Sequence, residues 1–352
     1  MKMIIVAGGT GGHIYPGLAI AEEIKLRDPE GEILFIGSEE GLEKDLISRD
    51  GHKLVFIRAR ALLRKLSYKA LSAPFVSTIG FFQALGILKR FAPKAIIATG
   101  GYVSMPVVLA GRLLGIPIYL HEQNVLPGAV NRLCKHFAKN IFLSFPESLP
   151  YIKGEVVGNP VRSNIREAQK SSSLQSLNLP RDKKIILIMG GSQGSKKINE
   201  TVISKVDAIP SSCFILHIIG NRDYNWISRY LNGKKIENYR ALPYLHDMAQ
   251  ALAASDLVIS RAGATAIAEF LVCGLPMVLI PFPYAAEDHQ RLNARVIEEK
   301  GAATVIEDEA FTPDKFIEIL SSASLDYAKM KAACLSLARP EAARKIVEII
   351  YA

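Results

Sequence analysis

Apolar residues along this chain fall into two alternating patterns: short runs of Ile, Val, Leu and Ala, and longer stretches in which apolar positions return every three or four residues. The short runs predict strands at Met3–Ala7, Glu32–Ile36, Ala95–Ala98, Ile118–Leu120 and Asn140–Leu143, then at Lys184–Met189, Phe214–Ile219, Leu257–Ser260 and Met277–Ile280. Several are continuous rather than alternating, which marks strands covered on both faces, as in parallel sheets flanked by helices. The predicted class is α/β.

A buried strand that breaks into glycines ahead of a helix occurs twice. Ile4-Ile5-Val6-Ala7-Gly8-Gly9-Thr10-Gly11-Gly12 is answered by Ile185-Ile186-Leu187-Ile188-Met189-Gly190-Gly191-Ser192-Gln193-Gly194. Two Rossmann-like domains in tandem fit this repeat and the length of 352 residues. The polar stretch from Ser163 to Asp182 separates them, so residues 1–162 are expected as an N-terminal domain and 163–338 as a C-terminal one. Pro340 interrupts a helical pattern that Glu341 to Tyr351 resumes; residues 339–352 are expected to form a helix that packs back on the first domain.

Composition excludes several classes. With 49% apolar and 22% charged residues the chain is globular rather than disordered. The four cysteines, Cys134, Cys213, Cys273 and Cys334, stand at least 60 residues apart, which suits neither a disulfide framework nor a C-x-x-C site and points to a reducing compartment. Met1 to Ala7 runs straight into a strand with no export-type leader.

Charge is concentrated. Between Gly51 and His121 there is no Asp or Glu but there are 10 Lys and Arg, against a net +9 for the whole chain, so an anionic partner is expected at this part of the first domain. Inside it, Ala70–Leu88 carries no charge, yet Ser72, Pro74, Gly80 and Gln83 interrupt it too often for a membrane span. Phe75, Ile79, Phe82 and Leu85 recur at helical spacing with Lys69, Lys89 and Arg90 at the ends. Such a helix either faces a core with a solvated rim or lies on an anionic membrane surface. Nucleic acid is not expected, because the stretch lacks a base-stacking or groove-reading motif.

Glycines between a strand and a helix leave backbone N–H groups at the positive end of the helix dipole, a place for phosphate. Gly8 to His13 is not a dinucleotide fingerprint, because Ile14 stands where the last glycine belongs. Gly190 to Lys196 is not a P-loop, since Lys197 rather than Ser or Thr follows the lysine. A third turn, Thr99-Gly100-Gly101-Tyr102-Val103-Ser104, offers another anion site. Ligands bind at the carboxyl ends of parallel strands, so Thr10, His13, Gly100 and His121-Glu122-Gln123-Asn124 are expected in one crevice. His13 is a candidate general base. Glu122 is the competing base, or a carboxylate that only holds hydrogen bonds at a strand end. Glu269 suits the two hydroxyls of a ribose, or is an exposed helical Glu. No ligand cluster suggests a metal, and no cofactor is implied.

Taken together, Ala7–His13 with Pro16-Gly17, Gly100–Ser104, His121–Asn124, Gly158-Asn159-Pro160-Val161-Arg162, Gly190–Gly194, Arg261–Glu269, and Pro281-Phe282 followed by Asp288, Gln290 and Asn293 resemble the MurG-type peptidoglycan enzymes of glycosyltransferase family 28. The resemblance spans essentially the whole chain. It implies a GT-B fold, two Rossmann-like domains separated by a deep cleft, and inverting transfer of N-acetylglucosamine from UDP-GlcNAc to lipid I at the cytoplasmic face of the plasma membrane. It also implies substrate contacts at Thr10, Gly11, Gly12, Asn124, Arg162, Ser192, Leu245, Ala264, Thr265, Ala266, Ile267, Ala268, Glu269 and Gln290, and a membrane purpose for Phe75, Ile79, Phe82 and Leu85. Pro283–Glu287 and Met105 depart from the family pattern. The competing functions are a UDP-GlcNAc 2-epimerase, which shares the architecture and the donor, and a non-catalytic nucleotide-sugar binder.

Overall fold

The run that opens the chain becomes β1 (Lys2–Ala7), with β2 (Glu32–Gly37) and β3 (Lys53–Phe56) on one side and β4 (Ala95–Gly100), β5 (Ile118–Glu122), β6 (Asn140–Leu143) and β7 (Glu155–Val156) on the other. All pairings are parallel, and the register sets Ile5 between Phe35 of β2 and Ile97 of β4. The structure, a computed structural model, describes residues 1–39, 43–60, 68–191, 194–321 and 325–352, with the backbone alone over 68–75. By contact the chain divides into two units, Met1–Arg162 with Arg339–Ala352, and Ser163–Ala338.

Both faces of β1 are covered, as its unbroken apolar run requires. Ile4 and Val6 join a core with Ala84, Leu88 and Val107, and Met3, Ile5 and Ala7 join another with Ile14, Leu18 and Ile346. Each fully buried Ile stabilises the unit by about 1.5–3 kcal/mol. The helices of this part are α1 (Gly11–Arg27), α2 (Glu43–Arg49), α3 (Tyr68–Phe91), α4 (Ser104–Leu113) and α5 (Ala129–Cys134). Helix α1 lies so close to β1 that a Cβ on Gly17 would come 3.2 Å from Cγ2 of Ile5.

In the second unit β8 (Lys184–Met189), β9 (Cys213–Ile218), β10 (Tyr239–Leu242), β11 (Leu257–Ser260), β12 (Met277–Leu279) and β13 (Ala303–Val305) form a parallel sheet in the order β10-β9-β8-β11-β12-β13. Its helices are α6 (Ser163–Glu167), α7 (Lys170–Ser176), α8 (Lys196–Ile203), α9 (Asn221–Leu231), α10 (Met248–Ala254), α11 (Ala264–Val272), α12 (His289–Glu299), α13 (Pro313–Ser321) and α14 (Tyr327–Leu337). The chain then returns to the first unit as α15 (Ala342–Tyr351), whose Ile346, Val347 and Ile350 enter the core beside α1.

Four strands were not expected: β3, β7, β10 and β13. They are the four edge strands of the two sheets. Most of their residues stay partly exposed, so they lack the unbroken apolar run that marks a strand covered on both faces.

Helix α3 corrects the expected apolar face. Phe82 is 64% exposed and Ile79 half-buried, but Leu85 packs against the core that holds Ala84 and Leu88. Each step of three residues turns a helix back by about 60°, which carries Leu85 from the face of Phe82 toward the sheet. The side chain of Phe75 lies outside the described residues. Among the described residues no helix is long and apolar enough to cross a membrane.

Candidate active site

The first and third glycine turns form one structure at the carboxyl ends of β1 and β4. His13, on the first turn of α1, lays its ring against the second of these turns: a Cβ on Gly100 would stand 2.7 Å from His13 Cδ2, and one on Gly101 would stand 2.5 Å from the Gly8 carbonyl oxygen. With φ of +115° and +82° these two positions favour glycine on conformation as well as on space. His13 Nδ1 lies 3.0 Å from the Gly8 carbonyl oxygen. That oxygen can only accept, so Nδ1–H donates and the neutral ring keeps its lone pair on Nε2.

A buried relay holds this arrangement from behind. Thr99 Oγ1 lies 2.7 Å from the His13 carbonyl oxygen, and Gln123 Nε2 donates to the Thr99 carbonyl at 2.6 Å and to His121 Nδ1 at 2.8 Å. His121 Nε2 in turn donates to the Gly158 carbonyl at 3.2 Å. Burial pushes the pKa of His121 down to about 4, so the ring stays neutral and matches this pattern of one donor and one acceptor.

Glu122 is held by hydrogen bonds at the end of β5. Its Oε1 accepts from the Asn124 amide at 2.9 Å, and its Oε2 from the Gly128 amide and Asn131 Nδ2, both at 2.8 Å, in a side chain 1% exposed. It thereby fixes the loop carrying Asn124, whose own Nδ2 donates to Glu122 Oε1 at 3.3 Å. Arg162 stacks its guanidinium 4.8 Å from the ring centre of Tyr15, on α1. Thr10 is exposed at the N-cap of α1, next to Gly11 and Gly12. The expected nest of amides is incomplete, because the Gly9 N–H already donates to Glu43 Oε1 at 3.0 Å.

In the second unit a cavity of about 620 Å³ opens where four helices begin. Gly191 and Gly194 of the glycine turn, Lys197 of α8, Arg222 of α9, Ala266 of α11 and Gln290 of α12 all line it. Helix N-termini, with Lys197 and Arg222 among the cations beside them, make this wall attractive to phosphate. Gln290 holds the wall together: its Oε1 accepts from the Ala262 amide at 3.2 Å and the Phe282 amide at 3.0 Å.

Arg261, the first residue of the Arg261–Glu269 segment, organises this wall. Its guanidinium, 9% exposed, pairs with Asp308 at 2.6 Å, donates to the carbonyls of Ile280 and Pro281, and donates to Ser195 Oγ at 2.8 Å. Ser195 caps α8, accepting from the Ile198 amide, so Arg261 ties the glycine turn to the ends of β11 and β12. The available signal was an arginine placed directly after a buried strand.

The remaining expected contacts are spread out. Ala264 and Thr265 are buried at the start of α11, Ala268 and Glu269 are half-buried further along it, and Leu245 is half-buried between β10 and α10. Ile267, 1% exposed, faces inward, so its side chain is not available to a ligand; a helix cannot present six consecutive side chains to one cavity. Ser192 lies outside the described residues. Among the described residues no group of three or more His, Cys, Asp or Glu could hold a metal ion.

Residues 3–143 match the glycosyltransferase family 28 N-terminal domain and residues 185–346 its C-terminal domain. The UDP-N-acetylglucosamine--N-acetylmuramyl-(pentapeptide) pyrophosphoryl-undecaprenol N-acetylglucosamine transferase of Desulforamulus reducens is 38% identical, over 99% of this chain and 98% of its own. The crystal structure of Acinetobacter baumannii MurG superposes with a TM-score of 0.75 at 28% identity, over 99% of both chains. UDP-GlcNAc 2-epimerase from Neisseria meningitidis, bound to UDP-GlcNAc, superposes with a TM-score of 0.68 at 16% identity over 100% of both chains, a likeness of fold alone.

Proposed function

The chain belongs to glycosyltransferase family 28, and from that premise we propose that it transfers N-acetylglucosamine from UDP-N-acetylglucosamine to the muramyl sugar of lipid I, giving lipid II in peptidoglycan synthesis. The observation that carries this reading is the end-to-end match to the Desulforamulus reducens transferase, whose name states that donor sugar and that class of acceptor.

The acceptor hydroxyl oxygen attacks the anomeric carbon from the face opposite the diphosphate. The new C–O bond forms as the sugar–phosphate bond breaks, the carbon inverts, and UDP leaves with the bonding electrons. The hydroxyl proton passes to Nε2 of His13, the nitrogen that the Gly8 carbonyl leaves with a lone pair. Charge gathering on the departing diphosphate is met by the amides that begin α8 and α11, with Lys197 and Arg222 beside them. Ala264 and Thr265 offer backbone amides, Glu269 accepts from the ribose hydroxyls, and Leu245, Ala266 and Gln290 shape the nucleotide site. Thr10, Gly11, Gly12, Asn124 and Arg162 are further substrate contacts.

The undecaprenyl chain of the acceptor stays in the bilayer, so the enzyme works as a peripheral protein at the cytoplasmic face of the plasma membrane. The acid-free basic region is the surface we assign to it, with Phe82 exposed on α3 and Lys89 and Arg90 at that helix's end. Supplying UDP-N-acetylglucosamine and a short-chain lipid I analogue tests the reading: UDP release coupled to disaccharide formation supports it, and donor binding without turnover sinks it.

A further inference from the structure

We propose that Glu43 is a positioning residue that sets the tautomer and orientation of His13, an inference that rests on the reading of His13 as the base. Glu43 lies at the start of α2, fully buried. Its Oε1 accepts three hydrogen bonds: from the Gly9 amide at 3.0 Å, the Ser38 amide at 3.1 Å and Ser38 Oγ at 2.8 Å. The Ser38 hydroxyl also lies 3.0 Å from the Tyr102 hydroxyl, and since its own proton is committed to Glu43, Tyr102 donates.

One carboxylate oxygen therefore joins the end of β2, the turn after β1 and, through Tyr102, the turn after β4. The last two enclose His13: Gly8 accepts from its Nδ1 and Gly100 flanks its ring. The seat is tight, because a Cβ on Gly37 would come 2.9 Å from Glu43 Cγ and one on Gly8 would come 3.1 Å from Glu43 Oε1. Glu43 Oε2, by contrast, is buried with no hydrogen-bond partner among the described residues. An unsatisfied buried oxygen opposes folding, so stability alone does not account for a carboxylate here. The triple contact of Oε1 does, because it orients the peptide that carries the Gly8 carbonyl. Without it that carbonyl is free to turn, Nδ1 loses its fixed acceptor, and the ring divides between two tautomers, of which one has no lone pair on Nε2.

The test pairs Glu43→Ala with Glu43→Gln and reads both turnover and the ¹⁵N shifts of the His13 imidazole. Glu43→Ala is expected to lower kcat by roughly 10- to 100-fold, the scale of a misplaced catalytic group. The KM for UDP-N-acetylglucosamine is expected to stay within about threefold, because uniform binding is untouched. The two ring nitrogens should move from one fixed tautomer toward averaged shifts. Glu43→Gln, whose Oε1 still accepts from Gly9 and Ser38, is expected to recover most of the lost kcat. Unchanged kcat and shifts in Glu43→Ala overturn the proposal, and so does a joint fall of kcat and donor affinity that Gln does not rescue. If Glu43→Ala does not fold, Tyr102→Phe, which cuts only the link through Ser38, should move the same nitrogens in the same direction, and no movement there overturns it. A wild type that fails to turn over, with ring shifts still sensitive to Glu43, overturns the transferase reading and leaves the positioning claim standing.

Discussion

The Nδ1 of His13 lies 3.0 Å from the carbonyl oxygen of Gly8, and this contact decides which ring nitrogen can receive a proton. Replacing His13 with Ala is therefore expected to cost about 10²- to 10⁴-fold in kcat, the range of general-base catalysis. The dissociation constant for UDP-N-acetylglucosamine, measured by calorimetry, should change little. Equal losses in both would make His13 a residue that orients substrate.

Substituting Phe82 by Asp tests the membrane surface. Wild-type protein is expected to sediment with anionic vesicles at low salt and to be released as salt rises, while Phe82→Asp binds weakly throughout. Leu85→Asp is a less clean probe, because Leu85 packs on the core and its loss also destabilises the unit. Wild-type protein that ignores anionic vesicles at low salt removes this part of the account.

What was legible in the sequence follows from burial. The runs around Ile4, Ile97, Ile186 and Val258 are covered on both faces and announced themselves as strands, whereas the partly exposed edges at Lys53–Phe56 and Tyr239–Leu242 did not. The glycine turns at 8–9 and 100–101 were visible as turns, but not that they meet, since Gly101 and Gly8 are brought together by the pairing of β1 with β4. Glu43 and Arg261 were invisible as organisers for a related reason: a buried charged residue is known by its partners, and Gly9, Ser38, Ser195 and Asp308 are distant from them in sequence or belong to other segments. Contiguity places Ile267 beside a ligand and spacing places Leu85 on an exposed face, whereas helical rotation buries the first and packs the second against a core.

Arg261 is expected to be the most stabilising polar side chain around the cavity of the second unit. Arg261→Ala leaves Asp308 without its ion pair and two carbonyls and Ser195 without a donor, a loss of about 3 kcal/mol in urea unfolding, as for other largely buried pairs. UDP affinity should fall with it, because Ser195 caps the helix that follows the glycine turn. Arg261→Lys should recover little, since an ammonium cannot span the same four acceptors as a planar fork. Full recovery by Lys would show that charge alone matters here.

Acid should weaken the fold before the carboxylates titrate. Burial pushes His121 down to about 4 and His217 down to about 3, from an ordinary 6.5. Because both folded values are depressed, the unfolded chain takes up protons first: this stability is complete above about pH 6.5 and falls as pH drops from there toward 4, by up to about 1.4 kcal/mol per pH unit for each group. Urea unfolding between pH 7 and pH 5 measures the slope, and His217→Gln is expected to reduce it by one proton's share. An unfolding free energy that stays level over this interval contradicts the burial of these rings as neutral groups.

The most direct measurement of the central claim is a single reaction with UDP-N-acetylglucosamine and a short-chain lipid I analogue, followed for nucleotide and sugar products together. The account predicts one UDP released for each disaccharide formed, with inversion at the transferred sugar and strong dependence on His13. Appearance of the 2-epimer of the donor sugar, or saturable donor binding with neither product, would contradict it.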